Sequence, residues 1–239
     1  MTEPLYLIDA YLRDAPGTVL SHTAEGGIVL DQSIFYPTSG GQPGDSGVLN
    51  WDNNALEIAT TIKGEEGQIV LVPAEPQALP PIGTPVSQHI DWDRRYAHMR
   101  VHTMLHLLSV VVPLPVTGGS ISADKGRLDF LMPEPPEDKL ALEAELNAHI
   151  ARDLSVTEDW ITGEELEAKP GLVKTMSVAP PKGARHVRLV RIADGEAQID
   201  LQPCGGTHVA RTSEIGEIRF GKVEKKGREN RRIAVHLVR

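Results

Sequence analysis

Between Leu5 and Val72 the apolar residues come in short runs: Leu5–Leu12, Val19–Thr23, Gly27–Leu30, Gly47–Leu49, Leu56–Ile62 and Gln68–Val72, separated by Gly, Pro, Asn and Asp clusters. A strand turns successive side chains to opposite faces, so many short runs at regular spacing predict a small β-barrel. Pro73, Pro76, Pro80, Pro81 and Pro85 then fall within thirteen residues, which excludes a helix and predicts a stiff connector. The first domain is expected to span 1–90, with its boundary near Ile90.

From Asp91 the period changes. Tyr96, Met99, Met104, Leu107 and Leu108 recur at helical spacings, predicting a helix that stops before Pro113. Thr117–Ser122 and Arg127–Leu131 read as a strand pair around the turn Asp124-Lys125-Gly126. A second helix over Glu137–Leu154 places Leu142, Leu146 and Ile150 on one face, and strand-like runs follow at Ser155–Thr162, His186–Ile192, Gly216–Val223 and Ile233–Val238. The fold class expected is α+β: an amino-terminal barrel followed by an α+β domain over 91–239.

Composition narrows the setting. One cysteine excludes an intrachain disulfide, and Met1 to Asp14 carries acidic residues rather than a basic start with an apolar run, so a reducing, cytoplasmic compartment is expected. Leu107–Val116, the longest apolar stretch, is broken by Ser109, Pro113 and Pro115, far short of the ~20 residues a membrane span needs. The net charge of −9 argues against nucleic-acid binding over the whole surface. Arg219 to Arg239 nonetheless holds eight basic residues against Glu224 and Glu229, a local +6 that suits either a solvated hairpin or an RNA contact. No membrane and no DNA partner are expected, and the oligomeric state is expected to be monomer or weak homodimer.

The chemistry sits in two half-motifs. His102 and His106 are four apart on the first helix, so both imidazoles project from one face and can share an ion. Taken alone, such a pair is more often a surface or core feature. Cys204-Gly205-Gly206-Thr207-His208 adds the chain's single cysteine and another histidine, with glycines that allow the turn needed to bring both side chains to one point. Together they form a His₂CysHis set of the type zinc prefers, one ion per chain. His98 extends the series, but 98 and 106 lie ~12 Å apart along a helix axis, so it reads as a solvent-side or substrate-side residue. His22, His89, His149, His186 and His236 read as ordinary.

These motifs carry a resemblance. His102–His106 and Cys204-Gly205-Gly206-Thr207-His208-Val209, with Thr117-Gly118-Gly119-Ser120 and Asp124-Lys125-Gly126-Arg127-Leu128-Asp129-Phe130 between them, resemble the editing domain of the threonyl/alanyl-tRNA synthetase common type over ~91–239. Phe35-Tyr36-Pro37-Thr38-Ser39-Gly40-Gly41-Gln42-Pro43-Gly44-Asp45-Ser46-Gly47 is similar to the glycine-rich signature of the amino-terminal barrel in the free-standing AlaX relatives. No aminoacylation domain fits within the 239 residues. The resemblance implies a trans-editing hydrolase that deacylates mischarged tRNA(Ala), chiefly the seryl and also the glycyl form, engaging the acceptor end. It moves Gly40 and Gly41 from a tight turn toward a loop at the domain interface that shapes the substrate pocket. Where relatives linked to the synthetase have Thr before the second helix histidine and Gln at the position of Thr117, this chain has Leu105 and Thr117.

A zinc ion would either polarise the ester carbonyl or lower the pKa of a water, and both need an available coordination position. Four protein ligands ordinarily describe a closed site, so His208 binds weakly, or the ion expands its shell, or zinc only orients the substrate. Sparing alanine while cleaving serine requires polar groups that the serine hydroxyl alone can satisfy. Thr117, Ser120 and Thr207 are the catalytic candidates, and Thr103 and Arg127 join Gly40 and Gly41 as substrate-binding candidates. Asp124, Arg127 and Asp129 read first as turn and strand-edge charges, with a structural ion pair favoured over a catalytic base. Arg94, Arg95, Arg100 and the basic tail are the expected phosphate contacts. The alternatives are a non-catalytic zinc-stabilised tRNA-binding module and a threonyl-type editing hydrolase, the latter fitting the Cys-Gly-Gly-Thr-His and barrel signatures less well.

Overall fold

The computed structural model describes residues 2–174 and 186–238. The chain divides into two compact units, Met1–His98 and Met99–Arg239.

The first unit contains β1 (Glu3–Pro4), β2 (Asp14–His22), β3 (Ile28–Leu30), β4 (Gln32–Ser33), β5 (Gly47–Trp51), β6 (Asn54–Lys63), β7 (Ile69–Pro73) and β8 (Pro85–Ile90). Six of these strands close a barrel in the order β2-β3-β7-β6-β5-β8, while β1 and β4 pair in parallel outside it. Alternation explains the core: along β6, Leu56 and Ile58 are buried while Ala55, Glu57 and Ala59 face out, and they meet Val19, Ile28, Leu49 and Leu71 inside. Two expectations change here. Leu5–Leu12 is not a strand, since Leu5–Leu7 forms a 3₁₀ turn that buries Tyr6, and Ala10, four residues on, is buried beyond it. The proline-rich stretch ends in β8, which closes the barrel by pairing with β2 and β5. That strand buries Gln88, whose amide bridges Pro16 O and Gln32 O and accepts from Ile34 N, so its inner face does not read as apolar.

Helix α1 (Trp92–Val111) follows, then β9 (Val116–Ile121), β10 (Lys125–Leu131), α2 (Lys139–Ala151), β11 (Ser155–Thr162), α3 (Gly163–Glu167), β12 (His186–Asp194), β13 (Ala197–Pro203), β14 (Ile218–Lys225) and β15 (Asn230–Leu237). They build an antiparallel sheet in the order β14-β15-β10-β9 and a second one, β11-β12-β13. Helix α2 starts at Asp138, whose carboxylate accepts from Ala141 N, and it buries Leu146 and Ile150 as its spacing predicts. On β10 the buried positions are Gly126, Leu128 and Phe130. A Cβ on Gly126 would come within 2.7 Å of Val101 and 3.0 Å of Leu105, so this face of the sheet lies directly against α1. No helix among the described residues is long and apolar enough to cross a membrane.

Candidate metal centre

Helix α1 places His102 and His106 one turn apart with ring centroids 5.3 Å from each other. The loop after β13 brings His208 to 4.3 Å from the His102 ring and 4.5 Å from the His106 ring. Cys204 Sγ lies 3.5 Å from His102 Nε2 and 3.3 Å from His208 Nε2, and one ligand atom from each of the four residues falls within 4.8 Å of all the others. Donors around one tetrahedral zinc stand roughly 3.3–3.8 Å apart, given bonds of about 2.0–2.3 Å. A thiolate and three imidazoles so disposed fit a zinc ion.

The histidines are aimed by what lies behind them. His106 Nδ1 donates to Asp200 Oδ2 at 3.1 Å, which leaves Nε2 for the cluster. Asp200 is buried and also receives Lys174 Nζ at 2.5 Å and Gln202 Nε2 at 2.7 Å. Gln202 reaches on to Ser109 Oγ at 3.3 Å, and Ser109 donates to His106 O at 2.7 Å. His208 Nδ1 lies 3.1 Å from Thr103 Oγ1, an oxygen that also accepts from Val209 N. Arg188 holds the cysteine loop by donating to Cys204 O and Gly206 O, both at 2.9 Å, and is itself ion-paired to Glu158. Gly206 N points at Cys204 Sγ from 3.4 Å.

These contacts set the protonation of the ligands. Burial opposes ionisation of Cys204, but the imidazoles of His102 and His208 beside it outweigh that and hold the thiol well below its ordinary value. Burial, reinforced by His102, keeps His208 neutral. Burial alone would lower His106, yet the Asp200 hydrogen bond and Cys204 carry it above its ordinary range, and the same pairing keeps Asp200 ionised.

The other predicted residues separate into groups. Thr103 is buried and braces His208, and Thr207 is buried within the cysteine loop. Ser120 and Arg127 pair across β9 and β10 on the face opposite the one that packs on α1. Thr117 donates to Asp129 O at 3.1 Å and Asn230 Oδ1 at 3.3 Å. Arg127 ion-pairs with Asp129 at 2.9 Å, matching the structural reading of these charges. Gly40 and Gly41 form an exposed turn closed by two backbone bonds between Ser39 and Gln42, with φ of +56° and +85°.

Two expectations are corrected. Arg95 is no phosphate contact: it is fully buried, ion-paired with Asp45, and donates to Ala10 O at 2.9 Å and Ile34 O at 2.5 Å. Arg94 and Arg100 also spend donors on carbonyls, those of Gly44 and Ile215. His98 does not face solvent; it is 3% exposed, and burial with Arg94 beside it lowers its pKa to about 4. Sequence reasoning missed Asp200, Gln202, Lys174 and Arg188. A signal for the first two exists, since Asp200, Gln202 and Cys204 follow one another at the strand period of two and so share a face.

Comparison with known proteins agrees with this arrangement. Residues 187–234 match the family described as threonyl and alanyl tRNA synthetase second additional domain, and residues 13–94 match class II (A) tRNA synthetases. The alanyl-tRNA editing protein AlaX-M of Methanosarcina acetivorans is 35% identical over 100% of both chains. Its namesake from Pyrococcus horikoshii is 35% identical over 99% of this chain and 98% of its own. An alanine–tRNA ligase of Pyrobaculum arsenaticum is 35% identical over 94% of this chain but only 25% of the ligase. With full-length identity at this level and the four donor residues converging, the chain belongs to the AlaX family of alanyl-tRNA editing proteins.

Proposed function

We propose that this protein is a trans-acting aminoacyl-tRNA deacylase that hydrolyses mischarged tRNA(Ala), chiefly Ser-tRNA(Ala) and also Gly-tRNA(Ala), at a zinc site. The observation that carries the reading is the convergence of His102, His106, Cys204 and His208 onto one point within 4.8 Å. These four residues would hold the ion. When bound, zinc would supply a Lewis acid beside the ester carbonyl that joins the amino acid to the terminal ribose.

The chain's own residues do the rest. Asp200 fixes the His106 ring and its tautomer, and Thr103 does the same for His208. Cys204, held as thiolate, matches the charge an ion brings. Discrimination would require polar groups beside the cluster that a serine hydroxyl alone satisfies, a contrast that can reach ~10⁴ in rate. The acceptor end of tRNA(Ala) is the partner this chemistry requires.

One observation favours a second reading. Four protein donors form a closed set, as in structural zinc sites, which suits a zinc-stabilised tRNA-binding module without turnover. Time-resolved release of serine from Ser-tRNA(Ala), with zinc content measured on each preparation, separates the two. The editing reading expects serine release by the native protein, sparing of Ala-tRNA(Ala), and loss of both zinc and activity in Cys204→Ala. Zinc with no serine release would leave the binding module.

A further inference from the structure

The four-stranded sheet has an outer face that the metal centre does not use. Its inner face, with Leu128, Phe130, Ile233 and Val235, is buried. On the outer face Arg127 lies across from Ser120 on one side and Ala234 on the other, and Asp129 lies between Gly118 and Arg232. One register step along, Lys125, His236 and Arg219 stand in a row. The floor is thus built of small residues, and the rim is basic.

The middle of this face is preorganised. Asp129 accepts from Arg127 Nη1 at 2.9 Å, and from Arg232 Nε at 2.7 Å and Nη2 at 2.9 Å. One carboxylate between two guanidiniums leaves one positive charge over, with Glu224, ion-paired to Lys226, across from Arg232 and Glu217 paired to Arg219 at the rim. The Asp129 carboxylate also ties both side chains to one point, and they remain 31% and 24% exposed. Each guanidinium has five N–H groups, and beyond these bonds neither has another hydrogen-bond partner among the described residues. Two fixed guanidiniums with spare donors over a floor of glycine, serine and alanine form a surface shaped for an anion bearing several oxygens. The chain as a whole carries −9, so any attraction for a polyanion must be local to a surface of this kind.

We propose that this outer face docks the sugar–phosphate backbone of the tRNA, with Arg127 and Arg232 as a prepositioned phosphate fork and Lys125 and Arg219 at its rim. The proposal rests on the tRNA reading above. It gives Arg127 and Ser120 a role in positioning RNA rather than in contacting the scissile ester. A solvated face whose ion pairs only tie strands together is the competing account.

Binding of uncharged tRNA(Ala) across a salt series distinguishes them. The variants are Lys125→Glu with Arg219→Glu, Arg127→Gln alone, and Lys169→Glu, an exposed lysine just beyond α3, as a charge-reversal control. The docking face predicts that the rim double variant weakens binding at least ~10-fold and flattens the log–log salt dependence by roughly 0.7–0.9 per lost phosphate contact. Arg127→Gln also weakens binding, while zinc content and thermal stability stay at the native level. Affinities and salt slopes equal to those of the native protein or of Lys169→Glu would overturn it. Serine release by the native protein is measured on the same preparations. If the native protein does not edit yet the rim controls RNA binding, only the editing reading fails; normal editing with unchanged binding in the variants removes only the docking face.

Discussion

Asp200 concentrates several demands on one side chain: it is buried, ionised, and bonded to a metal-directed histidine, a lysine and a glutamine. Replacing it with Asn keeps the volume and removes the charge that orients His106. Outer-shell losses of this kind cost about 10–100-fold in metal affinity. Asp200→Asn should therefore lose zinc to a competing chelator at about that many fold lower concentration, with the fold intact by circular dichroism. Unchanged chelator resistance would remove Asp200 from the account. His98 supports a prediction of a different kind. Its pKa is about 4 in the folded protein against 6.5 for an ordinary histidine. Below about pH 6.5 the unfolded chain takes up a proton that the folded chain refuses, so the native state loses stability as pH falls toward 4. By pH 5 the loss from this one group is about 2 kcal/mol. Urea midpoints at pH 7.5 and 5.0, compared between native protein and His98→Leu, should show a shallower acid decline in the variant; parallel declines would contradict the assignment.

At the level of elements, legibility followed the polarity of the buried face. Strands with apolar inner faces, such as β6 with Leu56 and Ile58, and the helices α1 and α2, stand out in the residue pattern. The strands that do not, β8 and β13, bury Gln88 on one and Asp200 with Gln202 on the other, so the period of two is there but is not hydrophobic. The same holds for Arg95, which looks like a surface cation beside Arg94. Its role depends on Asp45, fifty residues away in sequence, in the glycine-rich segment. Part of that segment is architectural: a Cβ on Gly44 would stand 2.0 Å from Thr61 O, and Asp45 caps Tyr36 N as well as Arg95. Deleting one partner of a fully buried ion pair costs about 3–5 kcal/mol, because the other charge is left without compensation. Asp45→Ala should lower the equilibrium unfolding free energy by about that amount. A change under about 1 kcal/mol would mean that the pair is dispensable.

Across the whole molecule, the two joined half-motifs made the convergence of the four donor residues readable before any fold was known, because spacing of four on a helix and a Cys-Gly-Gly-Thr-His loop each restrict geometry. The positions of the candidate hydroxyls were less readable. Thr and Ser near a motif can face either side of a strand, and the alternation that sends Ser120 and Arg127 away from α1 appears only once the register with β10 is known. The supporting layer was hidden because Asp200 and Lys174 come together from positions far from the helix they serve. What ties these scales together is the claim that one zinc ion, held by His102, His106, Cys204 and His208, is required for editing. The most direct test is to strip the protein with a chelator in steps, restore zinc in steps, and follow serine release from Ser-tRNA(Ala) against measured occupancy. The account predicts a rate proportional to zinc content that returns in full on reloading. Undiminished serine release from metal-free protein would contradict it.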